Sequence, residues 1–384
     1  MKILIFDEIV SGHHLEYLHH LYEMGMRNPS YVFIFLLPYK FHDVKRKFEW
    51  PNVDNISFEF FDSNLISQQS SSIWAMSSAS YKSCKLVKNY SLKYKPDAIF
   101  TNNILSFFPF ASFLLPKRIK LDGIIYRIYL YDEDKRDRYY VLKEKIKYWS
   151  FKLSKIYHRL YILNDENSAA VLNVKYNTCK FIYLPDPFVP ISSSLSYDFR
   201  KEHGIGKDKI LFAHFGGLSR RKGTLKIMES IAALDENERS KYVFAFAGRI
   251  YDNIRDDFYL KYEQLKGRVH IIIKDEFCDY EYLACLCEAC NAILCPYLDT
   301  SLSSGMLGYS SQFGKPMIAP NEGMIGMLVN KYGLGVLMDD NSSESLIKAY
   351  SIIDKGSYNT PSTTYCDTNT KEAFQNVIIN NFTV

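Results

Sequence analysis

The chain has 384 residues, of which 47% are hydrophobic and 23% charged, and its formal net charge is +4. This length exceeds what a single hydrophobic core fills, so two domains are expected, and the composition excludes a disordered or fibrous chain. The charge is too small to indicate nucleic-acid binding, and we expect none.

The amino terminus predicts neither a signal peptide nor an anchor. Its apolar run is short and ends at Asp7 and Glu8. The longest apolar stretch, residues 104–115, is interrupted by Ser106, Pro109 and Ser112, and it is shorter than the roughly 20 residues of a membrane-spanning helix. We therefore predict a cytoplasmic protein that is not integral to a membrane.

Thirteen short β-rich segments alternate with helical stretches. The predicted strands are residues 2–6, 31–36, 56–60, 97–102, 123–130, 160–163, 181–184, 210–215, 242–247, 269–273, 292–295, 316–319 and 335–338. Many are continuous apolar runs, which is typical of strands buried on both faces of a parallel sheet. Alternation with helices indicates repeated βαβ units and an α/β fold.

A proline-rich segment divides the chain. Pro185, Pro187 and Pro190 cannot lie inside a helix or a sheet interior, so they indicate a linker within residues 184–206. We predict domains at 1–187 and 188–356, each with a Rossmann-like fold. A helical pattern over 371–382 follows, and we expect the segment 368–384 to pack back on the first domain.

Ligands of open parallel sheets bind beyond the carboxyl ends of the strands, so the loops that follow the predicted strands are the candidate binding loops. The first loop holds Gly12, His13 and His14, with a helix predicted to begin near His13. Glycine permits a close turn, the helix start can bind an anion, and histidine can move a proton. Glu16 lies farther into the predicted helix.

The loop after the strand 210–215 combines Gly216 and Gly217 with the cations Arg220, Arg221 and Lys222. Glycine lets the backbone approach a ligand, and the cations neutralise negative charge on a leaving phosphate. This pattern predicts a diphosphate-binding loop, and a solvated basic turn is the alternative.

Two further loops carry small residues at predicted helix starts. After the strand 292–295, backbone N–H groups and hydroxyls able to hold phosphate come from Ser303, Ser304, Gly305, Met306 and Leu307. After the strand 316–319, Glu322 and Gly323 form a loop that can contact the sugar of a donor. Plain helix capping by Ser303 or Ser304 is the alternative for the first of these loops.

An amphipathic helical pattern occupies the end of the first domain. Apolar residues recur at helical spacing at Leu142, Ile146, Trp149, Leu153, Ile156 and Leu160. Basic residues flank them at Lys145, Lys152, Lys155 and Arg159. One interpretation is a surface helix whose stripe packs on the sheet, and the other is a basic and aromatic face that meets anionic lipid.

Five cysteines fall within residues 278–295, but only Cys287 and Cys290 form a CxxC pair, and no second ligand pair completes a zinc site. We interpret these cysteines as small buried hydrophobic residues.

The order of these motifs resembles the GT-B glycosyltransferases, in particular the family 4-like transferases of bacterial cell-surface sugars. Residues 215–223 resemble the family's glycine–basic–Lys-Gly phosphate loop, and residues 304–319 resemble its donor-binding helix and following strand. Gly12 with His13 and His14 matches the glycine-bearing first loop. The resemblance implies two Rossmann-like domains facing each other across a cleft, an acceptor-binding N-terminal one and a nucleotide-sugar-binding C-terminal one.

The sequence departs from this family at its Glu pair, which is separated by seven residues. The corresponding positions hold Ser301 and Tyr309. The second Glu normally holds the ribose, so Tyr309 implies altered handling of the nucleotide.

What the resemblance implies is transfer of a sugar from a UDP- or GDP-linked donor to a glycan or lipid-linked acceptor, in surface polysaccharide synthesis. It implies a retaining, metal-independent reaction without a further cofactor, and a peripheral position on the inner face of the cytoplasmic membrane. The predicted catalytic residues are His14, His13, Arg221 and Lys222. A sugar-nucleotide epimerase and a non-catalytic nucleotide-binding subunit are the alternatives.

Overall fold

The structure is a computed structural model that describes residues 1–66, 73–131, 133–134, 136–193 and 197–382. It divides into two compact units. Unit 1 comprises Met1–Pro187 and the chain from Lys371 onward, and unit 2 comprises Phe188–Thr370. The passage from one unit to the other thus falls in the proline-rich segment. Residues 383 and 384 of the predicted closing segment lie outside the described residues.

Unit 1 contains a parallel sheet of seven strands in the order β3-β2-β1-β4-β5-β6-β7. The strands are β1 Lys2–Phe6, β2 Val32–Pro38, β3 Ile56–Phe61, β4 Ala98–Thr101, β5 Lys120–Ile125, β6 Tyr157–Leu163 and β7 Phe181–Leu184. Strand β1 is central and pairs with β2 and β4. The strand order reverses there, which places the end of β1 where ligands of doubly wound sheets bind.

The helices of unit 1 are α1 His13–Arg27, α2 Phe41–Val44, α3 Ile73–Tyr94, α4 Ala111–Leu114, α5 Arg138–Leu153, α6 Glu166–Tyr176 and, from the end of the chain, α16 Lys371–Phe382. Phe374 and Ile378 of α16 join the core formed by α1 and the sheet. Gln375 also donates to the carbonyl of His20 at 2.7 Å. The predicted closing helix is therefore present and belongs to unit 1.

Unit 2 contains a parallel sheet of six strands in the order β10-β9-β8-β11-β12-β13. The strands are β8 Ile210–Phe215, β9 Tyr242–Ala247, β10 His270–Lys274, β11 Ala292–Leu294, β12 Met317–Pro320 and β13 Gly335–Met338. The helices are α7 Phe199–Glu202, α8 Thr224–Ala233, α9 Glu236–Lys241, α10 Asp252–Leu265, α11 Tyr280–Ala289, α12 Met306–Phe313, α13 Gly323–Lys331, α14 Ser343–Asp354 and α15 Thr364–Thr368.

All thirteen predicted strands are confirmed, in the predicted order. The largest difference concerns the predicted strand 123–130, which is observed as Lys120–Ile125. The strand begins earlier because the N–H of Lys120 donates to the Asp97 carbonyl at 3.3 Å, and a short helical turn occupies Tyr129–Tyr131. The five cysteines of residues 278–295 are buried and form no disulfide, as expected for small hydrophobic side chains.

The amphipathic pattern of residues 142–160 was only partly correct. Helix α5 ends at Leu153 because Ser154 has extended backbone angles, and Leu160 lies buried in β6. The four stripe residues that lie on α5 are exposed and do not pack on the sheet: Leu142, Ile146, Trp149 and Leu153. The buried residues of α5 are instead Glu144, Tyr148 and Phe151. None of the helices in the described ranges has the length and apolar character needed to cross a bilayer.

Candidate functional site

The carboxyl end of β1 carries a histidine held by a carboxylate. Asp7 is buried directly after β1, and its Oδ2 lies 2.7 Å from Nδ1 of His14 and accepts from Nδ2 of Asn102 at 2.8 Å. Its Oδ1 accepts from the N–H of Ile9 at 2.9 Å. In a neutral imidazole whose Nδ1–H donates to a carboxylate, Nε2 carries no proton and can accept one. The arrangement prepares His14 to bind or deprotonate a hydroxyl.

Gly12 places that histidine. It has a φ of 56°, the left-handed region that favours glycine, and α1 begins at the next residue. His13 and His14 then point in different directions because adjacent residues of a helix lie about 100° apart. The side chain of His13 is 74% exposed beside Glu16, whereas that of His14 is 18% exposed beside Asp7. Of the two predicted histidines, the structure joins only His14 to the end of β1.

A second carboxyl group lies beside the first. Glu8 accepts from the hydroxyl of Ser106 at 2.7 Å and of Ser83 at 3.3 Å. Burial raises the pKa of Glu8, partly opposed by these two hydrogen bonds, while the neighbouring Asp7 raises it further. The carboxyl group of Glu8 is thus fixed by α3 and the segment after β4.

Two tyrosines and a carboxylate extend this edge. The hydroxyl of Tyr17 donates to Asp186 at 2.5 Å, and the Tyr17 and Tyr126 rings stack with centroids 6.5 Å apart. The buried hydroxyl of Tyr126 has no hydrogen-bond partner among the described residues. Its pKa is raised by burial and by the charges of Asp7 and Asp186. A protonated donor without a partner is suited to a sugar hydroxyl.

The corresponding edge of unit 2 is built from glycine and cations. Gly216 has a φ of 89°, and a side chain there would meet the ammonium of Lys222 at 2.7 Å. A side chain on Gly248, at the end of β9, would lie 1.9 Å from the Gly216 carbonyl oxygen. Glycine is therefore required for the close approach of these two strand ends.

Lys222 is the central cation of this loop. Its Nζ donates to the Phe215 carbonyl at 3.3 Å and lies 5.7 Å from the centroid of the Tyr297 ring, and Arg221 covers the same ring at 5.4 Å. Burial, and to a smaller degree the charge of Arg221, lowers the pKa of Lys222 to about 8. An anion placed beside it would raise this pKa again and stabilise the ammonium form, so the site favours a negatively charged ligand.

Arg220 lies apart from the other two cations. Its side chain is 60% exposed and lies 3.5 Å from Asp257 of α10. The structure therefore brings together Arg221 and Lys222, around Tyr297, and leaves Arg220 in a surface ion pair. The three adjacent cations do not form one cluster, because they lie in a turn, in which the N–H of Lys222 donates to the Ser219 carbonyl at 3.1 Å and that of Gly223 to the Arg220 carbonyl at 3.0 Å.

A buried histidine holds the shape of this loop. His214 lies within β8, its Nδ1 is 2.9 Å from the Leu294 carbonyl, and its Nε2 is 3.0 Å from the hydroxyl of Thr224. The same hydroxyl accepts from the N–H of Ser219 at 3.1 Å. Burial lowers the pKa of His214 to about 3, so it stays neutral and links β11 to the start of α8.

The start of α12 presents backbone groups. Gly305 is its exposed N-cap residue, and the side chains of Met306 and Leu307 are buried, so only their backbone faces a ligand. The hydroxyl of Ser304 lies 2.9 Å from that of Tyr297, which connects α12 to the ring under Arg221 and Lys222. The N–H of Met306 donates to the Ser304 hydroxyl at 3.3 Å, and those of Leu307 and Gly308 donate to the carbonyls of Ser304 and Gly305, so Ser304 satisfies the start of this helix. The positive end of the eight-residue helix dipole favours an anion beside it.

The loop after β12 packs against the loop before α12. Gly323 has a φ of 62°, and a side chain there would meet the Thr300 hydroxyl at 2.3 Å. The N–H of Met324 donates to the Thr300 carbonyl at 2.8 Å. Glu322 is the exposed N-cap residue of α13. The structure thus joins these two predicted loops into one surface at the sheet edge.

Ser301 and Tyr309, which the sequence resemblance aligns with a Glu pair, both make contacts within unit 2. The hydroxyl of Ser301 donates to Asp299 at 2.5 Å within its own loop. Tyr309 packs edge-on against Phe188 and Phe215, with ring centroids 5.4 and 5.5 Å away. A glutamate at 309 would lose these aromatic contacts.

Several residues of these edges were not predicted. In unit 1 they are Asp7 as the partner of His14, Asn102, Tyr126, Tyr17 and Asp186; in unit 2 they are His214, Thr224 and Tyr297. A position directly after a strand could have indicated Asp7 and Asn102. Tyr126 and Tyr297 give no such signal, because tyrosine is frequent throughout this chain.

One cluster among the described residues has metal-ligand distances. It consists of His19, His20 and Glu23 of α1. Nζ of Lys371 lies 2.9 Å from Oε1 of Glu23, so a cation already neutralises this carboxylate. Contact with His20 and the hydrogen bond of Lys371 lower the pKa of Glu23 to about 2. The cluster lies on α1, away from the strand ends, and its Glu23 links α1 to α16 through Lys371.

The two parallel sheets and their connections define the GT-B fold of glycosyltransferases, so the predicted fold class is confirmed. No protein-family model and no curated protein sequence matches this chain. The likeness is therefore one of structure.

HepE of Anabaena, solved with UDP and glucose, matches with a TM-score of 0.68 and 16% identity over 100% of this chain and 99% of that chain. WaaG, a glycosyltransferase involved in lipopolysaccharide biosynthesis, matches with a TM-score of 0.63 and 14% identity over 100% and 98%. An α,α-trehalose-phosphate synthase (UDP-forming) from Burkholderia vietnamiensis matches with a TM-score of 0.69 and 9% identity over 100% and 99%. At these identities the likeness establishes the fold alone.

Proposed function

We propose that this protein is a glycosyltransferase that moves a sugar from a nucleotide diphosphate to a glycan or lipid-linked acceptor. The observation that carries the proposal is the pairing of Lys222 and Arg221 around Tyr297 with the start of α12. Cations and the positive end of a helix dipole together stabilise a departing diphosphate. UDP binding by HepE, solved also in complex with UDP-glucose, supports a uridine donor.

We assign the nucleotide to unit 2 and the acceptor to unit 1. The edge of unit 2 carries the cations and glycines that suit a diphosphate, whereas the edge of unit 1 carries Asp7, His14 and the Tyr126 hydroxyl, which suit neutral hydroxyl groups. Surface polysaccharide synthesis at the inner face of the cytoplasmic membrane is part of the proposal, supported by the resemblance in sequence.

A retaining, metal-independent course is proposed from that same resemblance. Arg221, Lys222 and the helix start supply the positive charge that a metal ion would otherwise provide. In a retaining reaction His14 binds a hydroxyl of the sugar or acceptor. The Asp7–His14 pair specifically favours one second candidate, an inverting reaction in which His14 is the base. NMR of the anomeric proton in the first product distinguishes the two.

The test begins with binding and then measures turnover. Thermal shift with UDP, GDP and NAD should show stabilisation by UDP or GDP and none by NAD, because a ligand of the folded state raises its apparent stability. Incubation of UDP- and GDP-sugars with lipid-linked acceptors should then release nucleotide only when acceptor is present.

Two outcomes would replace the proposal. An epimerised sugar nucleotide formed without acceptor would identify an epimerase. Nucleotide binding without turnover on any donor and acceptor would favour a non-catalytic subunit, for which the absent Glu pair at Ser301 and Tyr309 is the supporting observation.

A further inference from the structure

Three side chains of α1 that the proposed transfer does not use face one another. His19 and His20 each bring a ring nitrogen and Glu23 brings a carboxylate oxygen, and these three atoms lie within 4.8 Å of one another. Nδ1 of His20 lies 3.7 Å from Oε2 of Glu23, and Nδ1 of His19 lies 3.9 Å from the same oxygen. Residues three and four apart are neighbours on a helix surface, so the backbone of α1 itself fixes this arrangement.

Two atoms of this cluster are buried without a partner. Nδ1 of His20 and Oε2 of Glu23 have no hydrogen-bond partner among the described residues, and the distance between them is long for a hydrogen bond. The side chain of His20 is only 7% exposed and that of Glu23 is 17% exposed. Buried polar atoms nearly always have a partner, so two orphaned atoms that face one point indicate that a ligand binds between them.

A backbone carbonyl sets the tautomer of His19. Its Nε2 lies 3.1 Å from the carbonyl oxygen of Glu49, which can only accept, so we assign the proton of the neutral imidazole to Nε2. The lone pair of Nδ1 then faces the carboxylate of Glu23, and the two repel each other unless a cation lies between them. Histidines that ligate a metal typically donate their second ring N–H to a carbonyl or carboxylate in this way.

Aromatic rings hold both imidazoles in place. The His19 ring stacks on Phe48 with centroids 4.5 Å apart and meets Trp50 edge-on at 5.1 Å. The His20 ring packs edge-on against Phe374 of α16, with centroids 6.3 Å apart. Ligands whose orientation is fixed by packing lose little freedom when they bind a metal, so the two rings are prepared for it.

The ammonium of Lys371 opposes a second cation nearby, but it occupies only one side of the carboxylate. Its Nζ lies 2.9 Å from Oε1 of Glu23, whereas both histidines face Oε2. A carboxylate has lone pairs on both oxygens and can serve two partners. Lys371 therefore weakens a metal site here without blocking it.

We propose that His19, His20 and Glu23 bind a zinc ion, with a water molecule as the fourth ligand. Imidazoles and carboxylates are ligands of zinc, and tetrahedral bonds of about 2.0–2.2 Å place the ligand atoms about 3.4 Å apart, close to the observed 3.7 and 3.9 Å. The ion is structural: it joins successive turns of α1 and, through His19, braces Glu49 against the helix. The proposal does not rest on the transfer reaction, which stays metal-independent.

The test uses the full chain without a histidine tag. Wild-type protein is stripped with EDTA, dialysed, and titrated with Zn²⁺ in competition with a chromophoric chelator. It should bind one zinc ion per chain, and the ion should raise the melting temperature, because a ligand of the folded state stabilises it.

Variants of α1 locate the ion. His20→Gln and Glu23→Gln should each weaken zinc binding at least about hundredfold, which is the most that loss of an outer-shell partner costs. Lys371→Met should strengthen it by about tenfold, because a like charge beside the ion is removed. His13→Gln is the matched control, a histidine of the same helix that is 74% exposed beside Glu16, and it should bind zinc as the wild type does.

Three results would overturn the proposal. The first is stripped wild-type protein whose melting temperature zinc does not raise, and the second is unchanged zinc affinity in His20→Gln and Glu23→Gln. The third is loss of zinc binding in His13→Gln, which would assign the ion to the start of α1. Circular dichroism shows whether each variant is folded, and His19→Gln supplies a further ligand variant that leaves the ion pair between Glu23 and Lys371 in place.

Discussion

At the carboxyl edge of the sheet in unit 1 the side chains are carboxylates, an imidazole and tyrosine hydroxyls, linked by short hydrogen bonds such as that between Asp7 and His14. At the corresponding edge in unit 2 they are two cations beside the ring of Tyr297, glycines and a helix start. The same βαβ architecture thus offers hydrogen-bonding side chains for neutral hydroxyls in one unit. In the other unit it offers two cations and the backbone of glycines and a helix start for an anion. The difference predicts that variants in the two units will fail in different ways.

The largest effect is expected at Lys222. Lys222→Met should lower kcat/KM about thousandfold and abolish the thermal shift by UDP, because the cation that faces the diphosphate is lost. Lys226→Met, an exposed lysine one turn along α8, is the matched control and should leave both unchanged. Arg220→Met should cost less than about tenfold, since Arg220 lies in a surface ion pair. Normal UDP affinity in Lys222→Met would contradict the assignment of the diphosphate to this loop.

A smaller effect of a different kind is expected at His14. His14→Ala should lower kcat about hundredfold and leave the UDP thermal shift as it is, because the imidazole acts on a hydroxyl and not on the diphosphate. His13→Ala is its neighbour and control, and its exposed side chain predicts a change below about twofold. Equal activity of the His14→Ala and His13→Ala variants would contradict a catalytic role for His14 in unit 1.

The smallest effect, taken per pH unit, is a pH dependence of nucleotide binding. Burial holds the pKa of Lys222 at about 8 in the free protein. The cation that binds the diphosphate is therefore present below pH 8, and UDP affinity should fall about tenfold for each pH unit above it. Titration calorimetry from pH 7 to pH 10 measures this slope. Lys222→Arg should remove the slope, because a guanidinium stays charged over the whole range; a slope that persists in this variant would have another origin.

The stability of unit 2 should follow the opposite trend. The pKa of Lys222 is lower in the folded chain than the ordinary lysine value of 10.5, so the unfolded chain binds more protons between about pH 8 and that value. The contribution of Lys222 to stability therefore rises with pH across this window, while UDP affinity falls. The two trends separate loss of binding from unfolding.

Much of the fold could be predicted because buried parallel strands are continuous apolar runs that end at polar or glycine residues. The predicted helix over 142–160 is present only as far as Leu153, and its apolar stripe faces solvent. Periodicity shows that a helix has an apolar stripe, but not that the stripe faces the core. In α5 the core is instead filled by Tyr148 and Phe151, with Glu144 neutralised by Lys147.

The candidate site was predictable to the level of loops and not of side-chain partners. Position after a strand indicated His14, Lys222 and the start of α12. The direction in which each side chain points could not be predicted from its place after a strand. That direction distinguishes His14 from His13, and Arg221 from Arg220. Partners distant in the chain, such as Asn102 for Asp7 and Tyr297 for Lys222, depend on the register of β4 and β11 beside the central strands.

The return of the chain to unit 1 at its end has a consequence for biosynthesis. Unit 2 is one unbroken segment, and its two ends run side by side, with the N–H of Phe188 donating to the Asn369 carbonyl at 2.7 Å. A ribosome therefore completes unit 2 before it makes α16. Until then the side chains of α1 that Phe374 and Ile378 cover stay open to water, so unit 1, although it is begun first, is the unit that finishes folding last.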